Sequence, residues 1–123
     1  MNFDPAKPIP KEIILHKISR TLELQYAEDE VYHLSFEYLR VYSPSAEVQG
    51  HGQGQAILQV GKRDVEIDII ETVGQYAIKP SFSDGHQSGI YSWGYLYQLA
   101  TQYATRWQAY LTALEQAGAT RDK

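Results

Sequence analysis

Apolar and polar residues alternate along the first third of the chain. From Glu12 to Lys17 and again from Thr21 to Tyr26, Ile and Leu are interleaved with polar side chains, with Ser19-Arg20 between the two runs. A period of two sends successive side chains to opposite faces of a strand, so the pattern predicts a β-hairpin. Beyond the polar break Ala27-Glu28-Asp29-Glu30, the run Val31-Tyr32-His33-Leu34 predicts a short third strand. Ser35 then stands ahead of Phe36, Leu39 and Val41-Tyr42, which predicts a short helix capped by the serine hydroxyl. Tyr38 occupies the position where a capping box would place Glu or Gln, and Pro44 ends the helix.

Residues 49–55, Gln-Gly-His-Gly-Gln-Gly-Gln, read as a loop. A phosphate cradle would need a following helix start or Lys-Ser/Thr, and neither is there. Two more strands are expected, Val65 to Glu71 and Gln75 to Pro80, joined by Thr72-Val73-Gly74. The period then changes. From about Ile90 to Ala117, Trp93, Leu96, Ala100, Tyr103, Trp107, Leu111 and Leu114 recur at steps of three and four, which predicts one long helix with Gly118 as its C-cap. With no repeat and no dividing linker, the chain reads as a single domain over 1–123. Its Pro-rich residues 1–10 are expected as an extended leader and residues 118–123 as a flexible tail. The fold class is α+β: a small antiparallel or mixed β-sheet with one short helix and one long C-terminal helix packed on it.

Composition adds exclusions. At 43% hydrophobic and 21% charged, a 123-residue chain can bury a real core. No apolar run approaches the roughly 20 residues of a membrane span, and the N-terminal residues lack a signal-peptide pattern, so a cytoplasmic protein without a membrane partner is expected. A net charge of -4, with the basic pair Lys62-Arg63 followed at once by Asp64, argues against nucleic acid. The absence of cysteine excludes disulfides and every thiolate-built metal site.

Catalytic signatures are missing. His16, His33, His51 and His86 are not spaced as His-x-His or His-x-x-x-His, and there is no His-x-Asp pair. No Gly-x-Ser-x-Gly elbow occurs, and the carboxylate pairs Glu28/Glu30 and Glu66/Asp68 read as solvated edges. The densest polar stretch, Ser83 to Trp93, is explained as a turn at Asp84-Gly85, a serine cap at Ser88 or Ser92 and a first core aromatic. His86 stands outside that explanation, and a histidine at a helix entrance can ligate metal or contact a partner. Ten tyrosines exceed what the core needs; Tyr91, Tyr95 and Leu99 would form a contact patch if exposed, or sit half-buried with hydroxyls in water.

At Leu39-Arg40-Val41-Tyr42-Ser43-Pro44-Ser45-Ala46-Glu47-Val48 and at Asp84-Gly85-His86-Gln87-Ser88-Gly89-Ile90-Tyr91-Ser92-Trp93-Gly94-Tyr95-Leu96, the chain resembles the gamma-butyrobetaine hydroxylase-like N-terminal domain family. The resemblance runs from about Ile13 to Leu99, and the second motif is the more specific. In that family the domain occurs alone in bacteria, ahead of the oxygenase domain of carnitine-pathway hydroxylases, and appended to Mrp-type ATPases. The resemblance therefore implies an accessory domain, without the oxygenase residues. It also implies a structural zinc bound by three cysteines and the histidine of the second motif. Here the cysteine positions fall at Ser43, Ser45 and Val48 and the histidine at His86, so no cofactor is expected.

The reading that follows is a non-catalytic interaction domain with a protein partner, not an enzyme. Its contact residues are taken from the two motif loops and adjoining tyrosines: Tyr42, His51, Asp84, His86, Tyr91 and Tyr95. The alternative is a metal-binding protein linked to iron–sulfur cluster assembly, with a replacement ligand set of Glu47, His51, Asp84 and His86.

Overall fold

The computed structural model describes residues 8–50 and 56–123. The expected hairpin is present as β1 (Glu12–His16) and β2 (Thr21–Ala27), and the third strand as β3 (Glu30–Ser35). They pair antiparallel in the order β1-β2-β3, with Glu23 opposite both Ile14 and His33. Along β2 the buried positions alternate, Leu22, Leu24 and Tyr26 facing inward while Thr21, Glu23 and Gln25 face out.

Ser35 caps α1 (Phe36–Val41) by accepting a hydrogen bond from the Tyr38 N–H, as the sequence predicted. A second short helix, α2 (Ala46–Gln49), was not expected; the Ser45 hydroxyl caps it from the Glu47 N–H.

The remaining strands are β4 (Ile67–Val73), β5 (Ala77–Phe82) and the two-residue β6 (Tyr91–Ser92), antiparallel in the order β4-β5-β6. β4 and β5 begin two residues later than predicted. Pro80 is tolerated within β5 because β6 pairs only with Ala77 and Ile78, which leaves the proline on a locally open edge. Thus the strands form two three-stranded sheets where one sheet was expected. Among the described residues no backbone ladder joins them, and packing does: Leu22, Leu24 and Leu34 from the first sheet and Ile67, Ile78 and Phe82 from the second belong to one buried cluster with Phe36, Leu39, Tyr91, Leu96 and Leu99.

The long helix is also divided, into α3 (Trp93–Thr101) and α4 (Tyr103–Ala117). The Tyr38 hydroxyl donates to the Leu99 carbonyl at 2.7 Å, the acceptor that an unbroken helix would offer to the Tyr103 N–H. A side chain inserted into the backbone ladder is a known cause of a break, and Gln102 here adopts φ -107° and ψ 19°. Past the break the helix buries only Tyr110 and Leu114, in a second cluster with Val41.

Gly118 forms the left-handed C-cap with φ 64°. The residues after it, expected as a flexible tail, are tied down instead. Gly61 and Arg63 donate backbone hydrogen bonds to the carbonyls of Thr120 and Arg121, and the Arg121 guanidinium grips the Glu37 carboxylate at 2.8 and 2.6 Å. No helix among the described residues is long and apolar enough to cross a membrane.

Candidate functional site

The two sequence motifs meet in space. α1 carries Arg40 to its inner side, and the turn after β5 carries Asp84 to meet it, with Arg40 Nε 2.8 Å from Asp84 Oδ2. Lys62 Nζ reaches the same oxygen at 2.6 Å, and the His86 backbone N–H donates to Oδ1 at 3.1 Å. Burial alone would push the Asp84 carboxyl up, but Lys62, the His86 amide and Arg40 outweigh it and hold its pKa at about 2.

Behind this ion cluster lies a chain of hydroxyls. Ser43 Oγ is 2.8 Å from His86 Nε2 and accepts from the Ser45 N–H, while Ser45 Oγ lies 2.8 Å from Ser88 Oγ. Ser88 in turn donates to Glu47 at 2.7 Å. His86 is buried, and desolvation followed by the nearby Arg40 charge lowers its pKa, so the ring is neutral at pH 7. Its Nδ1 faces Glu47 Oε2 at 3.6 Å; the tautomer protonated there leaves Nε2 to accept from Ser43. Gly89 is required by space: a Cβ on it would collide with Ser43 Oγ.

This arrangement tests the zinc site implied by the resemblance. Ser43, Ser45 and His86 are brought together, and Val48 is buried nearby in α2. The hydroxyls are satisfied by one another and by the imidazole, and a valine offers no lone pair, so the residues present do not fit a thiolate zinc site. Nor are Glu47, Asp84 and His86 gathered as a three-ligand replacement set, because Asp84 turns its oxygens to Arg40, Lys62 and a backbone amide. His51 lies outside the described residues.

Beside the junction runs a groove of about 470 Å³, bounded by Tyr42, Val48, Ile57, Leu58, Tyr95 and Arg106 among others. The Arg106 guanidinium sits 5.4 Å from the centre of the Tyr42 ring and 5.9 Å from that of Tyr95. Tyr42 donates to the Arg106 carbonyl and Tyr95 to the Tyr42 carbonyl, each at 2.6 Å. Tyr110 donates to Gln59 across the groove, and burial pushes its phenol up to about 12.

The tyrosines therefore act differently from the expected contact patch. Tyr91 is fully buried and donates to the Leu39 carbonyl at 2.5 Å, and His86 is buried too, so neither presents a surface to a partner. Tyr42 and Tyr95 are half-buried in the groove wall, and Asp84 is taken up by its cations. Sequence reasoning noted Lys62 only as half of a basic pair and missed Arg106, whose only signal is a basic side chain on a helix flank. Arg40 lay inside the first motif, yet only the structure pairs it with Asp84, 44 residues away.

Solved structures resemble the fold. Two proteins with solution structures determined by NMR match at 54% identity (TM-score 0.82, covering 94% of this chain and 90% of that one) and 43% identity (TM-score 0.80, covering 98% and 90%). A crystallised protein of unknown function from Acidithiobacillus ferrooxidans, of the DUF971 family, matches at 38% identity with a TM-score of 0.64, covering 80% of this chain and 98% of its own. No curated protein sequence matches. Residues 13–97, which span both motifs, match the family described as gamma-butyrobetaine hydroxylase-like, N-terminal, and the chain belongs to that family.

Proposed function

We propose that this chain is a non-catalytic interaction domain that uses the groove beside Arg106 to hold an extended segment of a partner protein. The segment would place an acidic side chain against Arg106 and an apolar one against Ile57 and Leu58. The observation that carries the reading is Arg106 itself. Its guanidinium is held over two tyrosine rings and bonded through Nε to Gln102, and among the described residues no carboxylate pairs with it. A cation positioned this way against an apolar wall recognises an anion beside a hydrophobic group. Ile57 is 56% exposed at the groove, a further apolar surface for a partner to cover.

The non-catalytic part of the reading is supported by how the junction uses its polar groups. Ser43 and His86 are paired but both buried away from any substrate, and Asp84 is engaged by Arg40 and Lys62. The test is cross-linked capture from native lysate with three proteins compared: the unaltered chain, Arg106→Glu, and Lys79→Glu as a control on β5. Proteins retained by the first and third and lost from the second support the reading. Identical capture by all three, or nothing above background, overturns it.

A further inference from the structure

On the outer face of the first sheet, each of the three strands contributes one side chain to a single point. His16 comes from β1, Glu23 from β2 and His33 from β3. Glu23 is directly opposite His33, and His16 is one diagonal step away, opposite Thr21. Both imidazoles turn the same atom inward: His16 Nε2 lies 2.7 Å and His33 Nε2 3.4 Å from Glu23 Oε1. The ring centres are 6.1 Å apart, and among the described residues this is the group of His, Asp or Glu whose ligand atoms all fall within 4.8 Å of one another. Glu23 is also fixed from its other side, where the Gln25 amide donates to Oε2.

We propose that His16, Glu23 and His33 form a three-ligand site for a borderline divalent transition metal such as zinc or nickel(II), open on its solvent side. Bonds of about 2.0–2.2 Å to nitrogen and oxygen place neighbouring ligand atoms roughly 3.3 Å apart around a tetrahedral ion. His33 already stands at that separation from Oε1, and His16 reaches it by a small turn of its ring. Two imidazoles with one carboxylate select zinc, nickel or copper over calcium and magnesium, which take oxygen ligands. The Glu23 carboxylate accepts from Gln25 through Oε2, which leaves Oε1 turned to the two imidazoles. The histidines remain accessible, with side chains 39% and 56% exposed, and the remaining coordination positions fall to water or to a side chain from outside. Gln25 is a positioning residue for the carboxylate, as hydrogen-bonded neighbours of metal ligands commonly are.

The experiment is zinc titration of the chelator-treated full chain, followed by NMR of the histidine side chains. The expected result is one saturable step in which the His16 and His33 resonances shift together while those of His86 stay put, with affinity at least about tenfold weaker in both Glu23→Gln and His33→Ala. His33 is exposed while Glu23 is largely covered by its neighbours, so circular dichroism verifies that both variants fold. Zinc in excess that leaves His16 and His33 unmoved, or an affinity unchanged by His33→Ala, overturns the site.

Discussion

His86 and the pair His16/His33 are the same residue type in opposite situations. The His86 side chain is 3% exposed, kept neutral by burial, and bonded to a serine. His16 and His33 are on a solvated strand face and converge on a carboxylate. The conspicuous sequence motif surrounds the histidine that the fold has absorbed into its framework, while the accessible histidines whose ring nitrogens face a carboxylate lie in ordinary strand sequence. Motif density reports where the chain must pack closely; it does not by itself locate reactive groups.

If that contrast is right, damage at the junction should unfold the protein and damage at the strand face should not. The largest effect is expected from Asp84→Ala, which strips Arg40, 8% exposed, of its carboxylate. Breaking such a pair should cost about 3 kcal/mol in urea denaturation. The pH dependence follows from the same group. The folded pKa, about 2, lies below the ordinary 3.8, so the Asp84 contribution is fully present above about pH 4 and is lost as pH falls through about 2. An Asp84→Asn variant should lose less stability across that range.

Gly89→Ala comes next. The new Cβ must displace Ser43, and overpacking of this kind should destabilise by about 2 kcal/mol, seen as a lowered Tm. Ser43→Ala should cost about 1–2 kcal/mol by leaving His86 Nε2 buried without a partner. His33→Ala should move stability by less than about 0.5 kcal/mol, as for most exposed positions. A loss from His33→Ala as large as that from Ser43→Ala would erase the distinction between the two regions.

What was legible in the sequence was local. The period of two in residues 12–26, the Ser35 cap and the Gly118 cap each depend on neighbours a few residues away, and each is found where expected. The helix break at Gln102 was not legible, because nothing near it is a helix breaker; the cause is Tyr38, 61 residues from the carbonyl it takes. Likewise, the His16–Glu23–His33 cluster has no linear spacing to recognise. Only the pairing register of three strands brings it together, although the alternation of residues 21–27 already sends Glu23 outward. The family resemblance located the junction, where Ser43 and Ser45, at two of the family's cysteine positions, form a hydrogen-bonded seam with His86 and Ser88.

The phenol hydroxyls that bridge distant carbonyls have a consequence in strong base. Tyr38, Tyr42, Tyr91, Tyr95 and Tyr110 all have pKa values raised, foremost by burial, and all five donate protons that a phenolate would lack. Each therefore favours the folded chain below pH 10 and ceases to do so as the solution becomes alkaline enough to ionise it in place. Because the groups share one framework, they should ionise together as the chain opens, and the ultraviolet absorbance of tyrosinate would rise in a single steep step, making these side chains a built-in optical gauge of unfolding.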